Sequence, residues 1–174
     1  MTSPRLQLHA PTLRATHAVA AALASFARSG DVVLLAGEMG AGKTAFAQGF
    51  GVALGVAEPI TSPTFTLVHS YETSGPTFHH ADLYRLDRLA QVADLALAEL
   101  AEYDGIVLVE WGDVVESTFA DHLLVRLEPV DHDLGARVIT IQAFGHTWAT
   151  RWERLRVECE RAVGTAPQAA GEGD

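Results

Sequence analysis

The chain reads as a single α/β domain whose central sheet is mostly parallel, with antiparallel additions. Three observations predict this. Two continuous apolar runs, DVVLLAG (31–37) and GIVLVEW (105–111), have the pattern of strands buried on both faces of a parallel sheet. Helix-forming stretches alternate with the strand-like runs. Two further pairs of strand-like runs are joined by short turns, which adds antiparallel pairing. With 174 residues and 48% apolar content, there is enough chain for one domain with a sizeable core.

The elements follow in order. RLQLH (5–9) reads as a short first strand, and Thr12 to Arg28 as a helix with an Ala/Leu/Val face that ends near Gly30. DVVLLAG is the first buried strand. A glycine-rich loop follows it, and helical character resumes from Thr44 to Leu54. FTLVHSY (65–71) and TFHHADLY (77–84) are strands around a turn at Thr73-Ser74-Gly75-Pro76. Asp87 caps a helix predicted to run to about Glu102, with Leu89, Val92, Ala96 and Leu100 on one side. After GIVLVEW, LLVRLEP (123–129) and ARVITIQAF (136–144) form a hairpin around residues 132–135. A last helix is predicted from His146 to Arg161, with Trp148, Trp152, Leu155 and Cys159 on one face. The domain is expected to span residues 1–163. Residues 164–174, GTAPQAAGEGD, are small and polar and are expected to be a disordered tail.

Composition excludes several classes. No stretch approaches the ~18 uninterrupted apolar residues of a membrane span, and MTSPRLQLHA has no hydrophobic signal core. Cys159 is the single cysteine, so no internal disulfide forms, which fits a reducing cytoplasm. The formal net charge of −10 argues against a broad grip on a nucleic-acid backbone. Of the twelve basic residues, Lys43 is the only lysine, and there is no Asn.

That lysine stands in GEMGAGKT (37–44). Gly37-x-x-x-x-Gly42-Lys43-Thr44 is a full P-loop match, with a buried strand before it and a helix after it. Backbone N–H groups of such a loop wrap phosphates, and glycine lets the backbone approach closely. The helix N-terminus favours anions. Lys43 is expected on the β- and γ-phosphates, and the Thr44 hydroxyl on Mg²⁺. The fold class is therefore P-loop NTPase-like. Reading guanine with Asn-Lys-x-Asp is impossible without Asn or a second lysine, which favours ATP.

An acidic residue at the end of a neighbouring strand usually serves the metal or its water, and GIVLVEW places Glu110 there. TSPTF (61–65) follows the loop helix, where phosphate-sensing switches sit, with hydroxyls at Thr61, Ser62 and Thr64. In HHADLYRL (79–86), period two puts His80, Asp82 and Tyr84 on one side of a strand. Asp82 is a candidate to orient the attacking water or a metal-bound water, and Arg85 to answer phosphate charge. His79 and His80 have no companions at zinc-site spacing and read as hydrogen-bonded packing residues. Arginines 151, 154, 156 and 161 read either as partner or RNA contacts or as a solvated helix face.

Taken together, GEMGAGKT, TSPTFTLVHSY, HHADLYRL and IVLVEW, in this order and spacing, resemble the bacterial TsaE (YjeE) family over about residues 5–145. The resemblance implies a P-loop-type fold that binds ATP and Mg²⁺. It implies a requirement for forming threonylcarbamoyladenosine in tRNAs that read codons starting with A. The transfer itself belongs to the partners TsaD and TsaB, and ATP hydrolysis resets their complex. The resemblance carries Glu38, Met39, Gly40, Ala41, Gly42, Lys43 and Thr44 over as nucleotide-binding positions, with Thr12 and Arg137 nearby. Thr44 and Glu110 become metal ligands. Asp82, Thr64 and Lys43 become the residues that organise hydrolysis. tRNA would be met through the partners; neither DNA nor a membrane is implied. Where family members usually read GDLGAGKT, Glu38-Met39 stands here. Two other readings are open: a small-molecule kinase, for which no arginine-bearing lid is visible, and a nucleotide-sensing module that does not hydrolyse.

Overall fold

The computed structural model describes residues 2–63, 67–84 and 96–165. Its core is a seven-stranded sheet: β1 (Arg5–Ala10), β2 (Val32–Ala36), β3 (Val68–Tyr71), β4 (Thr77–Asp82), β5 (Gly105–Glu110), β6 (His122–Val130) and β7 (Asp133–Phe144), in the order β1-β7-β6-β2-β5-β4-β3. The four central strands β6, β2, β5 and β4 are parallel. Antiparallel pairs β6–β7, β1–β7 and β3–β4 extend the sheet at both sides. This is the mostly parallel sheet with antiparallel additions that the two apolar runs predict.

The strands these runs form, β2 and β5, are buried along their whole length, because helices cover both faces. On one face, helices α1 (Leu13–Ala24) and α2 (Lys43–Ala53) bring Val19, Leu23, Phe46 and Phe50 into one core with Val33, Leu35, Ile106 and Leu108, and α4 (Trp152–Thr165) adds Leu155 and Cys159 to it from its place on α1 and β1. On the other, α3 (Leu97–Glu102) and a 3₁₀ helix (Gly112–Thr118) cover Val32, Leu34, Val107 and Val109 with Leu97, Ala101 and Val115. β1, at the edge, alternates exposed and buried residues, since only one of its faces meets the core.

Several boundaries differ from the sequence reading. α1 ends at Ala24, four residues short of Arg28. The predicted helix over 87–102 is interrupted at Ala96, whose backbone is left-handed (φ 50°) and cannot continue an α-helix. The described helix begins at Leu97; Asp87, Leu89 and Val92 lie outside the described residues. Leu67 is also left-handed (φ 62°), so β3 starts only at Val68. The β6–β7 hairpin is tighter than expected. Val130 pairs with Asp133, and the turn rests on His132 at φ 64°. The last helix starts at Trp152, not His146, and runs past Arg161 and Gly164 to Thr165.

α4 is held by a buried ion pair. Arg151 and Asp31 are 4% and 5% exposed. The guanidinium donates to both carboxylate oxygens at 2.7 and 2.9 Å, to Phe26 O and to Thr147 O. It also lies 3.9 Å over the Trp148 ring. Asp31 accepts from Arg28 N as well, at 2.7 Å. Arg151 is thus neither a partner contact nor a solvated residue. The exposed Arg156 pairs with Glu153 and Glu160, and Arg161 with Glu158, so these two behave as a solvated helix face. Burial, reinforced by Glu158 and Glu160, pushes the Cys159 thiol up to about 12. A thiolate is the reactive form. Cys159 is therefore expected to resist iodoacetamide at neutral pH in the native protein and to react once unfolded, as mass spectrometry of the alkylated chain will read.

Candidate functional site

The glycine-rich loop leaves the C-terminal end of β2, the middle strand, and turns into α2. Gly37 leads this turn because no side chain fits: a Cβ there would lie 2.5 Å from Leu127 O and 3.0 Å from Ala41 Cβ. Gly42 occupies the residue before α2 at φ 103°, a left-handed conformation that favours glycine. It offers no side-chain cap, so the first N–H groups of α2 are not capped by it. They stand at a cleft of about 310 Å³ whose lining includes Met39, Gly40, Lys43, Thr44, Asp82, Tyr84, Glu110 and Trp111. The Tyr84 and Trp111 rings meet at a tilt of 41°, centroids 5.2 Å apart.

Lys43 lies in the first turn of α2. Its ammonium donates to Gly37 O at 2.6 Å and Glu38 O at 2.8 Å and sits 3.9 Å from the centroid of the Trp111 ring. Burial holds it below the ordinary lysine value, opposed by the charges of Glu110, Asp82, Asp113 and Glu38. The lone lysine is therefore a cation placed among carboxylates and held by its own loop.

Strand register brings the acids together. Asp82 and Glu110 are the last residues of the parallel neighbours β4 and β5 and are paired in register. The Thr44 hydroxyl donates to Glu110 Oε1 at 2.7 Å. The other oxygen, Oε2, accepts from His80 Nε2 at 2.6 Å. The Asp82 carboxylate accepts from the Ser62 hydroxyl at 2.7 Å and from Tyr84 N at 3.0 Å. The segment carrying Ser62 is itself tied down. Gln48 of α2 donates to Ile60 O, and Thr61 N donates to the Tyr71 hydroxyl. Among the described residues no group of three His, Cys, Asp or Glu forms a metal cluster. The donor set that does form is a hydroxyl and a carboxylate oxygen 2.7 Å apart. Hard oxygens near this spacing suit Mg²⁺, whose octahedron of ~2.1 Å bonds has edges of about 3.0 Å.

The structure thus gathers Gly40, Gly42, Lys43, Thr44, Asp82, Glu110 and the exposed Met39 into one cleft. Glu38 contributes its carbonyl to Lys43, and Ala41 is buried beneath the loop, donating its N–H to Glu38 O. Arg137 stands behind the loop: it donates to Ala41 O at 2.7 Å and Gly40 O at 3.3 Å, and to its own strand's Leu134 O and Ala136 O. Thr12 caps α1, accepting from Ala15 N at 3.1 Å, and does not line the cleft. Thr64 and Arg85 lie outside the described residues. Sequence reasoning did not find Trp111 or the His80–Glu110 contact. Trp111 had no signal: strand alternation turns the residue after Glu110 to the opposite face, and its left-handed backbone (φ 59°) brings it to the cleft. His79, the other member of the pair, bonds Ser70 Oγ at 2.7 Å, away from the acids.

A strand–glycine loop–helix unit at the middle of a mostly parallel sheet, with acids on the adjoining strand ends, defines a P-loop-like α/β protein. The chain belongs to the TsaE family: the profile described as "Threonylcarbamoyl adenosine biosynthesis protein TsaE" matches residues 10–139. It is 40% identical over 134 residues to the tRNA threonylcarbamoyladenosine biosynthesis protein TsaE of Streptomyces coelicolor, covering 74% of this chain and 90% of that one. To the Bacillus subtilis protein of the same name it is 36% identical over 141 residues, covering 80% and 87%. The crystal structure of Bacillus subtilis YdiB superposes with a TM-score of 0.74 at 31% identity, over 92% of this chain and 97% of that chain. No helix among the described residues is long and apolar enough to cross a membrane.

Proposed function

We propose that the chain is a Mg²⁺-dependent ATPase required for forming threonylcarbamoyladenosine in tRNAs that read codons starting with A. It acts with TsaD- and TsaB-like partners in the cytoplasm and resets their transfer complex by hydrolysing ATP. The names of its relatives support the pathway. The observation that carries the nucleotide chemistry is the pairing of Thr44 Oγ1 with Glu110 Oε1 beside Lys43, at the N-terminus of α2. Thr44 and Glu110 would hold Mg²⁺, which when bound neutralises phosphate charge. Lys43 would leave its loop carbonyls for the β- and γ-phosphates. Asp82 would hold the attacking water, and the α2 N–H groups would receive phosphate oxygens. An acidic chain with one lysine leaves most tRNA phosphate contacts to the partners.

The test is ATP turnover by the protein alone and with its TsaD–TsaB-like partners. A slow basal rate that rises with the partners is expected. No rise, together with normal tRNA modification in its absence, overturns the role. Lys43→Ala is expected to weaken ATP binding roughly 10- to 100-fold, the loss of a charge-assisted hydrogen bond. Unchanged affinity by calorimetry would refute the phosphate cradle.

A further inference from the structure

His80 is completely buried, yet its ring makes a single hydrogen bond. Nε2 meets Glu110 Oε2 at 2.6 Å, and Nδ1 has no partner among the described residues. A carboxylate only accepts, so Nε2 carries the proton and donates. Its ring neighbour among the described residues is apolar. Phe78, two residues earlier on β4, lies near-parallel to it with centroids 6.2 Å apart, and Phe78 in turn packs on Phe50 and Tyr71. An apolar ring would fill the same place without burying an unpaired nitrogen. The imidazole is kept where it costs desolvation, and the one group it serves is Glu110.

The consequence lies at the carboxylate. Glu110 is fixed from three directions: His80 holds Oε2, the Thr44 hydroxyl meets Oε1, and Leu83 N donates to its backbone carbonyl at 3.1 Å. With Oε2 engaged inside the core, Oε1 is the oxygen turned toward Thr44 and the cleft. We propose that His80 is a positioning residue: its Nε2–H fixes the rotation of the Glu110 carboxylate, so that Oε1 and Thr44 Oγ1 form a prepared pair for the divalent cation that accompanies the nucleotide. His80 is not among the residues that line the cleft; it acts through Glu110 alone. Outer partners of this kind typically change metal affinity 10- to 100-fold when removed. The inference rests on the proposed Mg²⁺–ATP reading of the site.

Binding of a non-hydrolysable ATP analogue is measured by calorimetry across a Mg²⁺ titration and again in EDTA. Melting curves serve as the folding control. His80→Phe is expected to raise the Mg²⁺ concentration for half-maximal enhancement of binding about tenfold, with EDTA affinity unchanged. His80→Gln places an N–H near the Nε2 position and is expected to restore the wild-type titration. His80→Asn is polar too, but its N–H sits near the Nδ1 position, so it is expected to behave like Phe. This Gln–Asn contrast stands even if the Phe variant does not fold. A Phe variant with a wild-type Mg²⁺ titration, or Gln and Asn variants that titrate alike, would overturn the positioning role alone. A wild-type protein whose analogue binding ignores Mg²⁺ would overturn the proposed site chemistry with it.

Discussion

Asp82→Ala is expected to leave ATP binding within about threefold of wild type and to lower partner-stimulated turnover by roughly 10²- to 10⁴-fold, the range for losing a positioned proton-handling or water-orienting group. The carboxylate sits at the last residue of β4, directly across from Glu110 on β5. Its two oxygens accept from Ser62 Oγ and Tyr84 N, so its rotamer is set by the segment after α2 and by its own strand end. It gives nothing to Lys43 or the loop backbone by hydrogen bond, which is why binding should survive. Phosphate release and nucleotide binding measured side by side decide the matter. Turnover that persists would move the hydrolytic role to another residue; binding that collapses would make Asp82 a nucleotide ligand instead.

Arg151→Ala is expected to destabilise the fold by about 3–5 kcal/mol, because it strands the buried Asp31 carboxylate without its partner. For a domain of this size, that lowers the melting temperature by about 6–20 °C. Removing both charges, as Arg151→Met with Asp31→Leu, is expected to cost clearly less than Arg151→Ala, since no lone charge is left buried. Melting by circular dichroism reads both. If the double variant were the worse of the two, the pair would contribute more than mutual neutralisation. The Phe26 and Thr147 carbonyls that Arg151 also satisfies would be the place to look.

Little of this ion pair could be read from the chain, and the reason is distance. Arg151 and Asp31 are 120 residues apart. Residue spacing along a helix says which residues share a face, not what faces them. The same limit hid the role of His80. Period two placed His80 and Asp82 on one side of β4 correctly. That the His80 ring would reach Glu110, two residues beyond its register partner Leu108, depends on how β5 lies beside β4. Three of the boundaries failed for a local reason. Leu67, Ala96 and His132 adopt left-handed backbone conformations that their residue types do not announce, as a glycine would.

What the sequence determined by itself is the part that repeats along the chain or must be contiguous. Two uninterrupted apolar runs required strands covered on both faces, hence an α/β fold. GEMGAGKT required a loop between such a strand and a helix, because its backbone groups and its lysine act as one continuous piece. Tertiary structure decided everything that depends on which strand lies beside which. Placing β2 between β6 and β5, and β4 beyond β5, carries Glu110, Asp82 and His80 to Thr44 and Lys43. The same packing closes Arg151 onto Asp31. These contacts join segments far apart in the chain, and only the burial of the sheet's two faces selects the one arrangement that makes them.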